Sequence, residues 1–274
     1  MSPITRLVSV GNVVIDVLAR IDALPARGAD VLATAGRLEP GGGFNLMVAA
    51  RRQGLATAYA GTVGTGPLGD LALAGLAREQ IAVLLAPVPD ADTGFCVAMT
   101  DADGERTFVT VVGAEAALTP ARLDTVSLTA TDALAVSGYG LLHPTNCEAL
   151  AARLPRLPDA ATVVYDPGPL GHTAPAAALV AVQARTDWWT GNAREAALAT
   201  GLTDPADAAR ALVATLTRGR VVVRTGADGC LLADRDGTVR HVPGYRADVV
   251  DTNGAGDTHT GAFVAALAAG LDPL

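Results

Sequence analysis

The feature that most constrains the fold is a regular alternation of short apolar runs with longer amphipathic runs between residues 133 and 234. The short runs are predicted as strands at 133–142, 161–168, 186–192, 220–226 and 230–234, and the longer ones as helices at 145–154, 176–185, 193–201 and 205–217. Strands that alternate with helices form a parallel sheet covered on both faces. The sequence therefore predicts an α/β fold with a mostly parallel central sheet.

The N-terminal part of the chain departs from this alternation. It has predicted helices at 45–54 and 70–81 and a buried strand at 56–64, but also two strand-rich stretches near 12–38 and 93–112. The first stretch begins as a strand that continues past a turn, and the second consists of two alternating strands joined by a DADG turn. We interpret both as a small β lid inserted into a single domain spanning residues 1–274.

Charge and basic-residue usage exclude several classes of function. The net charge of -8 and the pI near 4.9 argue against nucleic acid as a main partner. All 20 basic residues are arginine. Because the chain has no lysine, it can form neither a GxxxxGK[ST] phosphate loop nor a Schiff base.

Cysteine usage and hydropathy favour a cytoplasmic protein. The three cysteines are scattered without a CxxC pair, as is usual in a reducing compartment. No run approaches 18 consecutive apolar residues, and the first residues lead directly into a strand rather than a signal peptide. We therefore expect no membrane partner.

The segment GTGPLG (64–69) matches the GxGxxG pattern of dinucleotide-binding folds. That pattern also requires an acidic residue about 20 positions later, at the end of a second strand. Here Asp90 and Asp92 lie in a proline-rich loop instead. We expect no dinucleotide site at this segment.

The segment DTNGAGD (251–257) combines glycines and acids in an unusual way. Asp251 and Asp257 flank Gly254 and Gly256, and a run of small and apolar residues follows that predicts a buried helix. A glycine loop at a helix N-terminus exposes backbone N–H groups and the positive end of the helix dipole, which suits an anion. An acid there makes sense if it meets a phosphate and takes a proton from the attacking group. The alternative is that Asp257 only caps the helix.

Three further clusters require an explanation. GGGFN (41–45) places glycines before a helix, and RTGADG (224–229) is a strand that ends in a glycine loop. In NAREA (192–196), Asn192 and Glu195 are spaced so that both can face one point on a helix start. The structural alternative for this pair is a capping box.

Together the four clusters resemble the ribokinase-like (PfkB) family of carbohydrate kinases, in the family's order and over nearly the whole chain. The family signature reads close to DTxGAGDxFxGAF. Asn253 occupies the variable place, and His259 stands where an aromatic residue is usual. The resemblance implies a ribokinase-like three-layer sandwich with a small β lid. The signature residues that the chain keeps are Asp251, Thr252, Gly254, Ala255, Gly256, Asp257, Gly261, Ala262 and Phe263.

The resemblance also implies the roles of the phosphate-side residues. Asp257 is the catalytic base, and the N–H groups of Gly254, Ala255 and Gly256 form an anion hole for the γ-phosphoryl group of ATP. Glu195, with Asn192, organises Mg²⁺ indirectly around the phosphates. The loop residues on the nucleotide side are Thr225, Gly226 and Gly229. The ligands of a monovalent cation such as K⁺ are Asp251 and Thr252.

On the acceptor side, the resemblance implies that a small sugar is bound by Asp16, Gly42, Gly43 and Asn45. The alternative for Asp16 is a turn residue at a strand end. The GGGFN loop has no basic residue, so we expect an unphosphorylated acceptor. The lid residues expected to select the acceptor are Phe44, Cys96 and Ala98. A nucleoside or pseudouridine kinase is the main alternative, since the family includes such kinases, and an aromatic residue such as Phe44 favours stacking on a base.

Two departures from the family leave a third alternative open. DPGPLG (166–171) stands where relatives often have DPNxR, so an asparagine and an arginine are missing. The chain ends at GLDPL, whereas relatives continue for another helix or two, so its C-terminal end is interpreted as truncated relative to the family. A catalytically silent sugar- or nucleotide-binding protein would also fit. A homodimer formed through the lid is a further implication of the resemblance.

Overall fold

The computed structural model describes residues 4–249 and 252–274. Within these ranges the strands, in chain order, are β1 (Arg6–Ser9), β2 (Val13–Arg20), β3 (Ala35–Gly42), β4 (Ala56–Tyr59), β5 (Ala82–Val83), β6 (Phe95–Thr100), β7 (Arg106–Val111), β8 (Asp132–Ser137), β9 (Thr162–Asp166), β10 (Trp188–Asn192), β11 (Arg220–Arg224), β12 (Cys230–Ala233) and β13 (Val239–Val242). The α-helices are α1 (Gly43–Arg52), α2 (Pro67–Arg78), α3 (Pro120–Asp124), α4 (Gly138–Leu142), α5 (Pro144–Arg153), α6 (Ala176–Arg185), α7 (Ala193–Thr200), α8 (Pro205–Thr215) and α9 (Ala255–Ala268).

The large sheet has the strand order β13-β12-β11-β10-β9-β8-β1-β4-β5. Every pair from β11 to β5 is parallel, whereas β12 and β13 are added antiparallel at one edge. The predicted mostly parallel sheet is therefore confirmed. In such a sheet the carboxyl ends of the parallel strands share one edge, where α/β folds bind their ligands.

The central strands are apolar throughout because each of their faces packs against a helical layer. Trp188 belongs to the core that α1, α2 and α9 cover, and the next residue, Trp189, belongs to the core that α5, α6 and α8 cover. Val222 and Val223 alternate in the same way. Successive side chains of a strand point to opposite faces, so a run without polar residues predicts burial on both sides. The predicted three-layer sandwich is confirmed.

The small sheet is the predicted lid, with strand order β3-β2-β6-β7. The chain passes from β1 in the large sheet to β2 in the lid through the short segment 10–12, so the turn at Gly11 and Asn12 connects the two sheets. The last lid strand before α1 runs to Gly42, which is beyond the predicted limit near residue 38. The GGGFN segment is therefore the junction between lid and body.

The predicted strand at 133–142 is wrong in its second half. The strand ends at Ser137, whose hydroxyl accepts a hydrogen bond from the Tyr139 N–H and caps helix α4. A side chain at Gly138 would come within 2.1 Å of the Pro167 carbonyl oxygen, so glycine permits this close turn. Other differences are smaller: strand β4 stops at Tyr59, and the short strands β5 and β13 are not predicted from sequence.

In the part of the chain that the structure describes, no helix combines the length and the apolar character needed to cross a bilayer.

Candidate active site

The candidate active site lies where the carboxyl ends of three neighbouring parallel strands meet the N-terminus of α9. The last residues of β9, β10 and β11 are Asp166, Asn192 and Arg224. Because these strands are adjacent and parallel, the three side chains reach one edge of the sheet. Helix α9 contributes Asp257 from its first turn.

Helix α9 begins within the glycine segment rather than after it. The N-cap residue is Gly254, in a left-handed conformation with φ of 67°, and a side chain there would come within 2.6 Å of the Asn45 amide. Glycine is therefore required at this position. Ala255 and Gly256 form the first turn, so the prediction that they belong to a loop is wrong.

The first turn of α9 presents backbone N–H groups at the strand ends. The Thr258 N–H donates to the Gly254 carbonyl oxygen at 2.8 Å, which is the first regular bond of the helix. The N–H groups of Gly256 and Asp257 precede this bond and have no partner among the residues that the structure describes, so they suit an anion. The Ala255 N–H instead donates to the Thr252 carbonyl oxygen at 3.3 Å.

Asp257 is the third residue of α9, so the alternative in which it serves as the N-cap is wrong. Burial and, to a smaller extent, the negative charge of Asp166 raise the pKa of its carboxyl group to about 7, although the positive charge of Arg224 opposes this increase. A group that titrates near neutral pH is suited to accept a proton. The geometry and the protonation equilibrium together make Asp257 the candidate general base.

Arg224 is a residue that the sequence analysis missed. Its Nη1 atom donates to the hydroxyl groups of Thr190 at 2.6 Å and Thr260 at 3.1 Å. Its Nη2 atom lies 3.4 Å from Asp166 and 3.6 Å from Glu195. The signal that could have identified it is its position as the last residue of a strand, directly before the glycine loop of RTGADG.

Asn192 and Glu195 form the capping box of α7. The Asn192 Oδ1 accepts from the Glu195 N–H at 2.8 Å, and the Glu195 Oε2 accepts from the Asn192 N–H at 2.7 Å. The interpretation of the pair as a capping box is thus confirmed. The Glu195 carboxylate nevertheless lies in the site, 3.6 Å from Arg224. Burial raises the pKa of Glu195, and the nearby Asp166 raises it further.

Asp166 and Glu195 are suited to a magnesium ion that is held mainly by the phosphates of a nucleotide. Among the residues that the structure describes, no three His, Cys, Asp or Glu side chains cluster closely enough to form a metal cage. Magnesium seldom uses such a cage and is usually held by one or two carboxylates, waters and substrate phosphates. Asp166, which the sequence analysis did not identify, and Glu195 supply carboxylates of this kind.

The predicted nucleotide loop follows β11 as a single 3₁₀ turn over Gly226–Asp228. The Thr225 hydroxyl donates to the Gly229 carbonyl oxygen at 3.0 Å and closes the loop. Gly226 and Gly229 both have positive φ, and a side chain at Gly229 would meet the Val242 carbonyl oxygen at 2.1 Å. The loop is therefore tight and lies beside Arg224. The predicted cation ligand Asp251 lies outside the described residues.

Asp16 faces α9 from the middle of lid strand β2, so its interpretation as a turn residue at a strand end is wrong. The Asn253 side chain donates to its Oδ2 at 3.3 Å, and burial raises its pKa. A side chain at Gly41 would come within 2.2 Å of the Asp16 carboxylate. Glycine at position 41 therefore makes room for an acid that faces the start of α9.

The other predicted acceptor residues connect lid strand β3 to helix α1. Gly42 has a φ of 61°, and the Gly43 N–H donates to the Asn12 carbonyl oxygen at 2.8 Å as α1 begins. Asn45, in the first turn of α1, lies against Gly254 at the start of α9. The junction thus brings the starts of two helices together beside Asp16.

Phe44, predicted to be one of the lid residues that select the acceptor, is a buried residue of helix α1. Its ring is only 7% exposed and packs in the core near Gly75 of α2. The aromatic residue on the cleft face of the lid is Phe108, which is 53% exposed and pairs with Ala98 across the strands. Thr110 pairs with Cys96, and Cys96 pairs with Asp16, so these three residues share one face of the lid. Because Phe108 is two residues before Thr110 in β7, the alternation of the strand places it on this face and could have identified it.

Farther along the same face of the lid, three arginines surround a cavity of about 200 Å³ that Asn253 also lines. Arg20 and Arg106 are both paired with Thr100, and Arg37 pairs with Leu18. The Arg106 Nη2 donates to the Thr252 hydroxyl at 2.5 Å. Positive charge therefore lines the cleft on the lid side, which the GGGFN segment alone did not predict.

The GTGPLG segment holds an internal carboxylate. Asp92 accepts hydrogen bonds from the Leu68 N–H at 3.2 Å and the Gly69 N–H at 2.8 Å, at the N-terminus of α2. The glycines of this segment pack closely around Asp92. The Leu68 and Gly69 N–H groups at the start of α2 therefore already have a hydrogen-bond acceptor within the protein.

Comparisons with known proteins agree with this geometry. The sequence profile of the pfkB family carbohydrate kinases matches residues 4–273. The uncharacterized sugar kinase YegV of Escherichia coli strain K12 is 32% identical over 270 residues, which cover 96% of this chain and 82% of that protein. An ATP-dependent ribose-1-phosphate kinase of Halopiger xanaduensis is 30% identical over 269 residues, which cover 95% of this chain and 84% of that one.

The solved structures include an adenosine kinase from Sinorhizobium meliloti with the same fold. It superposes with a TM-score of 0.85 over 98% of this chain and 89% of its own, at 19% sequence identity.

Proposed function

Because the chain belongs to the pfkB family of carbohydrate kinases, and is therefore a phosphotransferase that acts on an alcohol group, we propose that it transfers the γ-phosphoryl group of ATP to a hydroxyl of a small sugar. The observation that carries this proposal is the position of Asp257. It lies in the first turn of α9, beside the backbone N–H groups that precede the first helical hydrogen bond, with a pKa of about 7. Phosphoryl transfer requires a positioned acceptor oxygen and stabilised phosphate charge.

In this mechanism Asp257 accepts the proton of the acceptor hydroxyl as that oxygen attacks phosphorus. The first turn of α9 stabilises the charge on the transferred group through the predicted anion hole of Gly254, Ala255 and Gly256, in which the Ala255 N–H already donates to the Thr252 carbonyl oxygen. Asp16 accepts hydrogen bonds from the sugar hydroxyl groups, with Gly42, Gly43 and Asn45 beside it.

The nucleotide lies along the carboxyl ends of β10 and β11 in this proposal, against Thr225, Gly226 and Gly229. Mg²⁺ would be held by Asp166 and Glu195 through water and would neutralise phosphate charge when bound. A monovalent cation such as K⁺ would lie beside Thr252. We also propose a cytoplasmic location, since ATP is the donor and three free cysteines suit a reducing compartment.

The test is ADP release from ATP and Mg²⁺, with and without K⁺, over a panel of pentoses, hexoses, sugar phosphates and nucleosides. We expect turnover with one class of acceptor, and its loss in Asp257→Asn. The proposal of a kinase that acts on a small sugar fails if no acceptor in the panel is phosphorylated. If ATP also fails to bind, the catalytically silent binding protein becomes the better interpretation.

A phosphorylated sugar is a second candidate acceptor, and the arginines of the lid favour it. Arg20, Arg37 and Arg106 line the cavity next to Asn253, which itself contacts Asp16. Arginine is the preferred side chain for recognition of a phosphate group. The Halopiger xanaduensis relative is named a ribose-1-phosphate kinase. The panel separates the candidates, because a phosphate-recognising lid would make ribose a much poorer acceptor than its phosphates.

A nucleoside remains the other alternative, and Phe108 is the observation in its favour. Its exposed ring lies on the cleft face of the lid, where it can stack on a base. If Phe108 recognises a base, Phe108→Ala will lower the kcat/KM for a nucleoside far more than that for a free pentose.

We further propose that two copies of the chain associate through the outer face of the lid. Leu38, Val17, Val97 and Val109 form one continuous apolar row across all four strands, on the face opposite Asp16. The two outer members, Leu38 and Val109, are more than half exposed. A row of this kind is typical of an interaction surface.

Light scattering on Val109→Asp tests this dimer. We expect the substitution to convert a dimer into a monomer, because it places a charge in the apolar row. The control is Val180→Asp, which changes a valine of α6 that is also more than half exposed but lies away from the lid. A wild-type monomer, or a dimer that Val109→Asp leaves intact, contradicts the proposal.

A further inference from the structure

The position of Arg224 beside a helix N-terminus disfavours its positive charge unless negative groups compensate. Its Nη2 atom would lie only 3.1 Å from a side chain at Gly256, so the guanidinium group is close to the first turn of α9. The N-terminus of a helix carries partial positive charge, which disfavours a cation beside it. The arrangement becomes favourable when an anion binds between the guanidinium group and the helix.

The short contacts of Arg224 are made to neutral groups. Thr190 and Thr260 are almost completely buried, and their hydroxyl groups lie 3.1 Å apart and hold Nη1 from two sides. The guanidinium group is only 13% exposed, so its orientation is fixed by strand β10 and helix α9 together. A fixed planar cation is preorganised for phosphate recognition.

Both acidic neighbours of Arg224 lie within ion-pair distance, but neither forms a short charge-assisted hydrogen bond with it. The separations of 3.4 Å from Asp166 and 3.6 Å from Glu195 are longer than the roughly 2.7–2.9 Å of a charge-assisted hydrogen bond. The two carboxylates therefore reduce the cost of the buried charge without saturating its donors. The Nη2 side of the group keeps capacity for an additional acceptor.

We propose that Arg224 binds the terminal phosphate of the nucleotide and stabilises the transferred phosphoryl group, with Thr190 and Thr260 as its positioning residues. Arg224 thereby supplies, from the end of β11, a cation to a site whose DPGPLG segment carries no arginine. Together with the Gly256 and Asp257 N–H groups, it surrounds the phosphate with donors from a strand and a helix. This inference rests on the proposed kinase function and adds to it the residue that recognises the γ-phosphate.

Nucleotide binding without an acceptor tests the assignment directly. Calorimetry with ATP and with AMP, both with Mg²⁺, gives the ratio of the two affinities for the wild type and for Arg224→Gln. Loss of a hydrogen-bonded charge contact corresponds to about 10- to 100-fold in affinity. We expect a loss of this size for ATP and less than about threefold for AMP, because AMP has no terminal phosphate to contact Arg224.

Arg220→Gln is the matched control. Arg220 lies on the same strand, forms an ion pair with Asp234 and stands over the Trp188 ring, away from the α9 N-terminus. We expect both affinities to stay unchanged in this variant. If Arg224→Gln fails to fold, Arg224→Lys takes its place, since lysine keeps the charge but loses the planar fork. We expect about a tenfold lower preference for ATP over AMP in that variant.

A purely structural role for Arg224 predicts a different pattern. Its substitution would then weaken ATP and AMP binding by the same factor, or leave both unchanged, and either result would overturn the assignment. The failure of the proposed function is distinguishable from this. In that case the wild type itself would bind ATP no more tightly than AMP, and the assignment of Arg224 would fall with it.

Discussion

The strand-end cluster and the lid differ in how strongly the rest of the protein fixes their side chains. In the cluster, Arg224 contacts side chains from β9, β10, α7 and α9, and Glu195 is held by a capping box. In the lid, the cleft-facing Phe108 is more than half exposed, and Arg20 is exposed as well. The two regions face each other across Asp16 and Asn253.

This difference indicates that the strand-end cluster and the lid have separate functions. Groups that stabilise developing charge must be preorganised, and the cluster has the density of contacts that preorganisation requires. Groups that select an acceptor must remain accessible until the acceptor arrives, and lids of this kind close over bound substrates. We therefore expect changes in the cluster to alter the reaction and changes in the lid to alter the choice of acceptor.

The largest effect is expected from Asp257→Asn. Removal of a general base lowers kcat by about 10²- to 10⁴-fold, and ATP affinity should change little. In the wild type, kcat/KM should rise as the pH increases through about 7, because Asp257 must lose its proton to act as a base. A profile of kcat/KM against pH checks this expected rise. A flat profile between pH 6 and 8 would contradict the assignment.

Asp257→Asn should lower activity but raise the stability of the folded protein. Because the pKa of Asp257 is higher in the folded protein than in the unfolded chain, ionisation opposes folding, and this penalty grows as the pH rises from about 4 to 7. Asp257→Asn should therefore raise the melting temperature relative to the wild type at pH 8, by more than at pH 5. Equal shifts at the two pH values would indicate that Asp257 is not destabilised by burial.

Phe44 and Phe108 provide a matched pair for the two regions. Phe44→Ala should lower the free energy of unfolding by about 3–5 kcal/mol, because the ring is buried in the core. Phe108→Ala should change it by less than about 0.5 kcal/mol and act on the acceptor KM instead. Urea denaturation and acceptor kinetics distinguish the two. A strongly destabilised Phe108→Ala would show that the lid is packed more tightly than its exposure indicates.

A smaller effect is expected within the lid itself. Asp16→Asn should raise the acceptor KM by about 10- to 100-fold through weaker hydrogen bonds to the sugar hydroxyl groups, with little change in the KM for ATP. Its cross-strand neighbour Glu39 is the control, because it lies on the same face but is more exposed. Glu39→Gln should change either constant by less than about threefold. Similar effects of the two substitutions would remove Asp16 from the acceptor site.

Much of the fold was predictable because it depends on local patterns. Apolar runs of strand length alternate with helical periods, and this alternation alone indicates a parallel sheet between two helical layers. Asp257, Gly254 and Gly256 were identifiable for a similar reason, since glycines and acids before an apolar helix are an unusual local arrangement. The short helix α4 was missed because its residues are as apolar as the strand before it.

The sequence by itself determined the α/β class, the family resemblance and the helix N-terminus that would meet a phosphate, since each is written in consecutive residues. Only the tertiary structure decided which distant side chains share the site. It buried Phe44, exposed Phe108 on the lid, and brought Arg224 between Asp166 and Glu195. Periodicity reports which face a residue occupies, whereas the identity of its neighbours depends on the order of strands in the sheet and on how the helices pack against them.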